Sequence, residues 1–143
     1  MSGKKYILID STFWIDLISP KSNEVQEEAE TKFELIQDHL WIVPMPTFYE
    51  TMRTRFIKNE IGMKRLNELL KQPNIEILND DNYREDSLEE TLSKTNYLKR
   101  KISLVDMIIR NIVKDINVKV DFLVTDNERD FADVCAQRRI EII

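Results

Sequence analysis

Residues 4–18 read KKYILIDSTFWIDLI, and the fold is decided there. Tyr6–Ile9 is apolar on consecutive positions, too short for a stable helix, and closed by Asp10, the pattern of a strand buried on both faces. Phe13 and Leu17 follow four residues apart, which is a helical spacing. A buried strand running straight into a helix opens a βα unit, and the remaining sequence repeats that alternation. Val25, Ala29, Phe33, Ile36 and Leu40 recur at spacings of three or four, then Trp41, Ile42 and Val43 form a second apolar run closed by Pro44 and Pro46. From Thr47 onward, Phe48, Met52 and Phe56 predict one helix, and Leu66, Leu69 and Leu70 another, ended by Pro73.

Further along, Ile75–Leu78 reads as a third strand. A helix is expected from about Arg84 to Lys94, then a basic, polar connection over Asn96–Lys101. Val105, Ile108, Ile109, Ile112 and Ile116 give the cleanest helical stripe. Phe122–Thr125 and Arg138–Ile143 read as the last two strands, with a short helix around Phe131–Ala136 between them. Strands separated by helices require crossover connections. The expectation is an α/β, three-layer α/β/α sandwich with a mostly parallel sheet of about five strands, one domain over residues 1–143.

Composition narrows the chemistry. The 143 residues are 42% hydrophobic and 33% charged, enough apolar material for a core. Two glycines, Gly3 and Gly62, cannot supply a dinucleotide fingerprint, a P-loop or a Gly-x-Ser-x-Gly elbow. Cys135 alone cannot form an internal disulfide or a thiolate zinc cluster, and His39 alone excludes His-rich metal sites. Carboxylates are abundant: 26 Asp and Glu against 21 Lys and Arg, a net charge of −5. An enzyme built on this sequence would work through carboxylates and a hard cation. The longest apolar stretch, Trp41 to Pro46, is far below the roughly 18 residues of a membrane span. No secretory segment follows Met1. A soluble, cytoplasmic protein without a membrane partner is expected.

In a parallel sheet the C-terminal ends of strands and the N-terminal ends of helices share the edge where ligands bind. Four acids fall at that edge. Asp10 follows strand one, Glu50 lies in the first turn after strand two, Asp106 opens the helix leading to strand four, and Asp126 follows Thr125. Each has a local explanation. Asp10 suits a helix cap, and Thr47-x-x-Glu50 fits a capping box. Ser103-x-x-Asp106 is an acidic variant of that box, with Arg110 one turn on as an ion-pair partner. Asp126 suits a turn. Together, however, crowded carboxylates repel, and a divalent cation relieves that repulsion. Such an ion also serves phosphoryl chemistry, which points to a metal-dependent phosphodiesterase.

The segments ILIDSTFWIDLI (7–18), VPMPTFYETM (43–52), SLVDMIIRNIV (103–113) and LVTDNERDF (123–131) resemble, in order and spacing, the PIN-domain ribonucleases across nearly the whole chain. That resemblance implies Mg²⁺- or Mn²⁺-dependent cleavage of RNA. It carries catalytic and metal-binding roles onto Asp10, Glu50, Asp106 and Asp126, with Ser11, Thr12 and Thr125 assisting. The last segment departs from the family's Thr-x-Asp, because Asn127 stands two residues after Thr125; Asp130 and Asn127 are therefore weaker candidates for the fourth place. The resemblance is strongest to VapC-type toxins of toxin–antitoxin pairs, which implies a homodimer and an antitoxin partner.

Basic residues cluster locally at Arg53, Arg55 and Lys58, at Lys64 and Arg65, at Lys99, Arg100 and Lys101, and at Arg138 and Arg139. Lys99–Lys101, just before the Asp106 helix, is the expected RNA contact. Trp14, Phe48 and Tyr49 near the edge are expected mainly in the core or a subunit contact, although bases stack on such side chains. A housekeeping RNA-processing nuclease of the same fold and a catalytically silent PIN-like binding module are the alternatives. A receiver domain fits poorly, since strand three ends on Leu78-Asn79 and not on Asp. A haloacid-dehalogenase-like phosphatase needs Asp-x-Asp where Asp10 is followed by Ser11 and Thr12.

Overall fold

The apolar run after Lys5 becomes strand β1, Tyr6–Ile9, whose side chains alternate between two separate cores. Ile7 and Ile9 face one, Leu8 the other, and all three are buried. The computed structural model describes residues 3–93 and 101–143. In chain order, β1 is followed by α1 (Ser11–Ile18), α2 (Asn23–Ile36), β2 (Leu40–Pro44), α3 (Pro46–Thr51), α4 (Thr54–Ile57), α5 (Glu60–Leu70) and β3 (Ile75–Leu78). Then come α6 (Arg84–Leu92), α7 (Leu104–Lys114), β4 (Phe122–Val124), α8 (Glu128–Gln137) and β5 (Glu141–Ile142).

Among the described residues all four strand pairings are parallel, in the order β3-β2-β1-β4-β5. The first core lies between the sheet and the helices α1, α2 and α5, and contains Phe13, Trp14, Leu17, Ala29, Trp41 and Leu66. On the opposite face, Ile108, Ile109, Ile112 and Val113 of α7 pack with Phe131 and Val134 of α8. The expected α/β sandwich with a five-stranded parallel sheet is therefore what the chain forms. Among the described residues no helix is long and apolar enough to cross a membrane.

Chain order reverses at β1, which has β2 on one side and β4 on the other. At such a switch point the connections on either side leave in opposite directions and open a crevice at the strand C-termini. Asp10 stands beside it: its N–H donates to Val124 O of β4 at 3.1 Å.

Two expectations about elements are corrected. The single helix expected from Thr47 through Phe56 is broken between α3 and α4. Met52 (φ −80°, ψ 50°) makes an inverse γ-turn, with Arg53 N–H donating to Thr51 O at 2.8 Å, and Arg53 is extended. Phe48 and Phe56, on either side of the break, both enter the first core. Strand five is also shorter than expected. Arg139 is left-handed (φ 56°), and the Arg138 guanidinium turns back to donate to the carbonyls of Val113, Asp115 and Val118, so pairing resumes only near Glu141.

Candidate metal centre

Asp10 is the N-cap of α1. Its Oδ1 accepts from Ser11 N–H at 2.8 Å, while Oδ2 accepts from the hydroxyls of Thr125 at 2.7 Å and Thr12 at 3.2 Å. The cap role anticipated from sequence and a place in the acidic site are thus the same geometry, since a cap following a parallel strand points its carboxylate along the ligand edge. Glu50 sits on α3, where the expected capping box does not form. Thr47 Oγ1 donates to Pro44 O at 2.7 Å instead, and Glu50 Oε1 accepts from Ser11 Oγ at 2.9 Å. Ser11 Oγ lies 3.4 Å from Asp10, so its one proton serves Glu50. Asp106 enters from the first turn of α7, its own N–H held by the Ser103 cap at 3.1 Å. One carboxylate oxygen each from Asp10, Glu50 and Asp106 lie within 4.8 Å of one another.

Three carboxylates at that spacing raise one another's affinity for protons. Burial pushes the Asp10 pKa up, against the hydrogen bonds from Thr125, Ser11 and Thr12. Glu50 is raised by burial and by the Asp10 charge, with Ser11 and the nearby Arg53 pulling the other way. Asp106 is pushed up to about 7, first by burial and then by the charges of Asp10, Glu50 and Asp130. The donor set is all oxygen, anionic and crowded, and among the described residues no ion pair neutralises it. A hard divalent cation fits such a set and would remove the repulsion that now favours protons.

Asp126 does not join the other acids, contrary to expectation. Its carboxylate turns away toward Lys32 of α2, 3.5 Å distant, and its N–H donates to Thr12 Oγ1 at 3.0 Å. The cause is the turn after β4. Thr125 Oγ1 accepts from Asn127 N–H at 2.9 Å, a local turn that directs residue 127, not 126, into the crevice. Asn127 Nδ2 then donates to Asp106 Oδ2 at 3.1 Å and to Asp130 Oδ2 at 2.7 Å. The amide thus bridges two carboxylates on the fourth side of the cluster. Asp130, in the first turn of α8, is a weaker candidate by sequence, yet its charge acts on Asp106 after those of Asp10 and Glu50. Arg110 is also displaced from its expected role. It is buried and forms a two-pronged pair with Asp133 at 2.7 and 2.9 Å, not with Asp106.

Lys99 and Arg100 lie outside the described residues, and Lys101 is exposed. Trp14 is fully buried against Phe13 and Trp41, and Phe48 is buried too, whereas Tyr49 is exposed. Arg65 is committed to Glu30 at 2.6 and 3.0 Å. Sequence reasoning passed over Lys21, which lies with Arg53 and Arg55 around a cavity bordering Glu50. Lys21 reaches that place through the tertiary contact of the α1–α2 connection with the α3–α4 segment, which no local sequence pattern announces.

No family model and no curated protein matches the chain. A chain of VapBC2 from Rickettsia felis, solved bound to a DNA fragment from its promoter, does match in structure. The TM-score is 0.62 at 14% identity, covering 96% of this chain and 97% of that chain. The fold is thus PIN-like, of the kind found in VapBC2.

Proposed function

We propose that the chain is a metal-dependent endoribonuclease, the toxin of a VapC-type toxin–antitoxin pair. The observation that carries this reading is the convergence of Asp10, Glu50 and Asp106 within 4.8 Å at the switch point of a PIN-like sheet. Mg²⁺ or Mn²⁺ is the cofactor in this reading, held by those three carboxylates with Asn127 and Asp130 on the fourth side. When bound, such an ion supplies charge neutralisation at a phosphodiester and an activated water.

The chain's own residues have separable tasks. Asp10 is fixed by three donors besides Ser11 Oγ, so it offers a rigid acceptor. Ser11 orients Glu50. Asp106, pushed up to about 7 in the metal-free site, must give up its proton when a cation binds, so metal binding should weaken below neutral pH. Thr125 both anchors Asp10 and shapes the turn that presents Asn127. A carboxamide at that position lowers the charge of the fourth side by one relative to Asp, so metal binding there rests on Asp130.

A homodimer and an antitoxin segment laid over the acidic crevice belong to the same reading. The exposed apolar side chains Tyr49, Met52 and Leu104, on or beside the helices that carry Glu50 and Asp106, offer such a segment contacts. Cleavage of a mixed RNA pool with Mn²⁺, by wild type and by Asp10→Asn, tests the activity: cleavage by the wild type alone is expected, and equal behaviour of the two refutes it. Growth arrest on expression, relieved by Asp106→Asn, distinguishes a toxin from a housekeeping RNA-processing nuclease.

A further inference from the structure

Beside the acidic cluster, where α3 breaks and α4 begins, lies a cavity of about 280 Å³ that shares Glu50 with it. Its floor is apolar, with Ile15 and the buried Phe56, and its rim carries Lys21, Arg53 and Arg55. Several other arginines are committed elsewhere. Arg65 is held by Glu30, Arg84 by Asp80 and Asp81, Arg110 by Asp133, and Arg138 by three carbonyls. Among the described residues no ion pair engages Lys21, Arg53 or Arg55. In a chain of net charge −5, three uncommitted cations around one apolar-floored cavity form a site for an anion that also carries a flat apolar group.

We propose that this groove binds the nucleotide next to the scissile phosphodiester of a single-stranded RNA, base against Ile15 and Phe56, distal phosphate on the Lys21, Arg53 and Arg55 rim. The inference rests on the nuclease reading and adds to it the path of the substrate. The cavity is close to the size at which small-ligand sites begin, ~300 Å³, so it suits one nucleotide. A base can reach the floor only if it is unstacked, which selects single strands over duplex. Arg53 links the two sites, being close enough to Glu50 to oppose the rise of its pKa while lining the groove.

The test is fluorescence anisotropy of a short labelled oligouridine with the full chain in EDTA, where metal-dependent cleavage is silent. Salt is varied from about 50 to about 200 mM. The double variant Arg53→Ala/Arg55→Ala is expected to bind roughly tenfold more weakly at the low end, the loss of charge-assisted contacts. Its salt dependence should flatten by about 0.7 in log–log slope, one single-strand phosphate. Lys5→Ala, at the opposite edge of the sheet, should leave both unchanged. If the double variant melts early, Lys21→Ala, in the exposed α1–α2 connection, reports the same loss with a smaller amplitude.

Unchanged binding by the arginine variants overturns the proposal. So does equal weakening by Lys5→Ala, or a groove that binds oligoglutamate but no oligouridine. Wild-type cleavage with Mn²⁺, measured in parallel, separates the two claims. Arginine-dependent binding without cleavage refutes the nuclease reading and keeps the groove, whereas cleavage with arginine-independent binding refutes the groove alone.

Discussion

Replacing Asp106 by Asn should stabilise the metal-free protein at pH 8. The Asp106 carboxyl is raised from 3.8 to about 7 by burial and by Asp10, Glu50 and Asp130. A folded-state pKa above the unfolded one means that the native chain holds a proton the unfolded chain releases. Stability therefore falls as pH rises from about 3.8 to about 7, and the full penalty is present above that window. At 1.36 kcal/mol per pKa unit the unscreened penalty is ~4 kcal/mol. Solvent at the open side of the half-buried carboxylate reduces this to about 2 kcal/mol. The carboxamide introduced by Asp106→Asn would still accept from Asn127, so the substitution removes charge and little else. For a chain of this length about 2 kcal/mol corresponds to a melting temperature roughly 8 °C higher.

Calorimetry in EDTA at pH 8 and at pH 5 reads this directly. At pH 5 the difference should shrink to about a third, because that pH lies about a third of the way up the window. Saturating Mn²⁺, at about a hundred times its dissociation constant, should add ~2.7 kcal/mol to the wild type and much less to the variant, closing or inverting the gap. A variant that melts below wild type at pH 8 without metal, or an advantage independent of pH, would refute the electrostatic account of the site.

Three further outcomes are expected. Thr125→Val removes the 2.7 Å hydrogen bond to Asp10 and the acceptor for Asn127 N–H; a loss of roughly 2 kcal/mol in denaturant unfolding should accompany weaker Mn²⁺ binding. Asn127→Asp places another negative charge beside Asp106 and Asp130, so calorimetric stability without metal should fall while titrated Mn²⁺ affinity rises; movement of both in the same direction would contradict the placement. Gly62→Ala, which in an open helix would stabilise, should instead cost about 1–3 kcal/mol of unfolding free energy, since its Cβ would collide with the Ile18 side chain and meet Asn59 Nδ2 at 2.8 Å.

The central strands were legible because a parallel sheet buried on both faces demands short, unbroken apolar runs, and Tyr6–Ile9 and Trp41–Val43 supply them, whereas the edge strand Ile75–Leu78 tolerates Glu76. Asp10, Glu50 and Asp106 were legible because topology alone sends a strand's end and a helix's first turn to one edge. The fourth side was not. The Thr125–Asn127 turn decides which side chain enters the crevice, and adjacent residues in a turn point in different directions. The helix expected through Met52 is interrupted by a backbone turn, Arg53 N–H donating to Thr51 O, that side-chain periodicity does not encode.

By itself, the sequence determined the α/β alternation, the scarcity of glycine, cysteine and histidine that leaves carboxylates as the chemistry, and the ligand edge as the place of Asp10, Glu50 and Asp106 among four candidate acids. These follow from periodicity and chain order, which are local. Only the tertiary structure decided that Asp126 pairs with Lys32, that Asn127 bridges Asp106 and Asp130, that Arg110 serves Asp133, and that Lys21 meets Arg53 and Arg55 beside Glu50. Those choices depend on side-chain direction and on contacts between residues far apart in the chain, and packing selects among them.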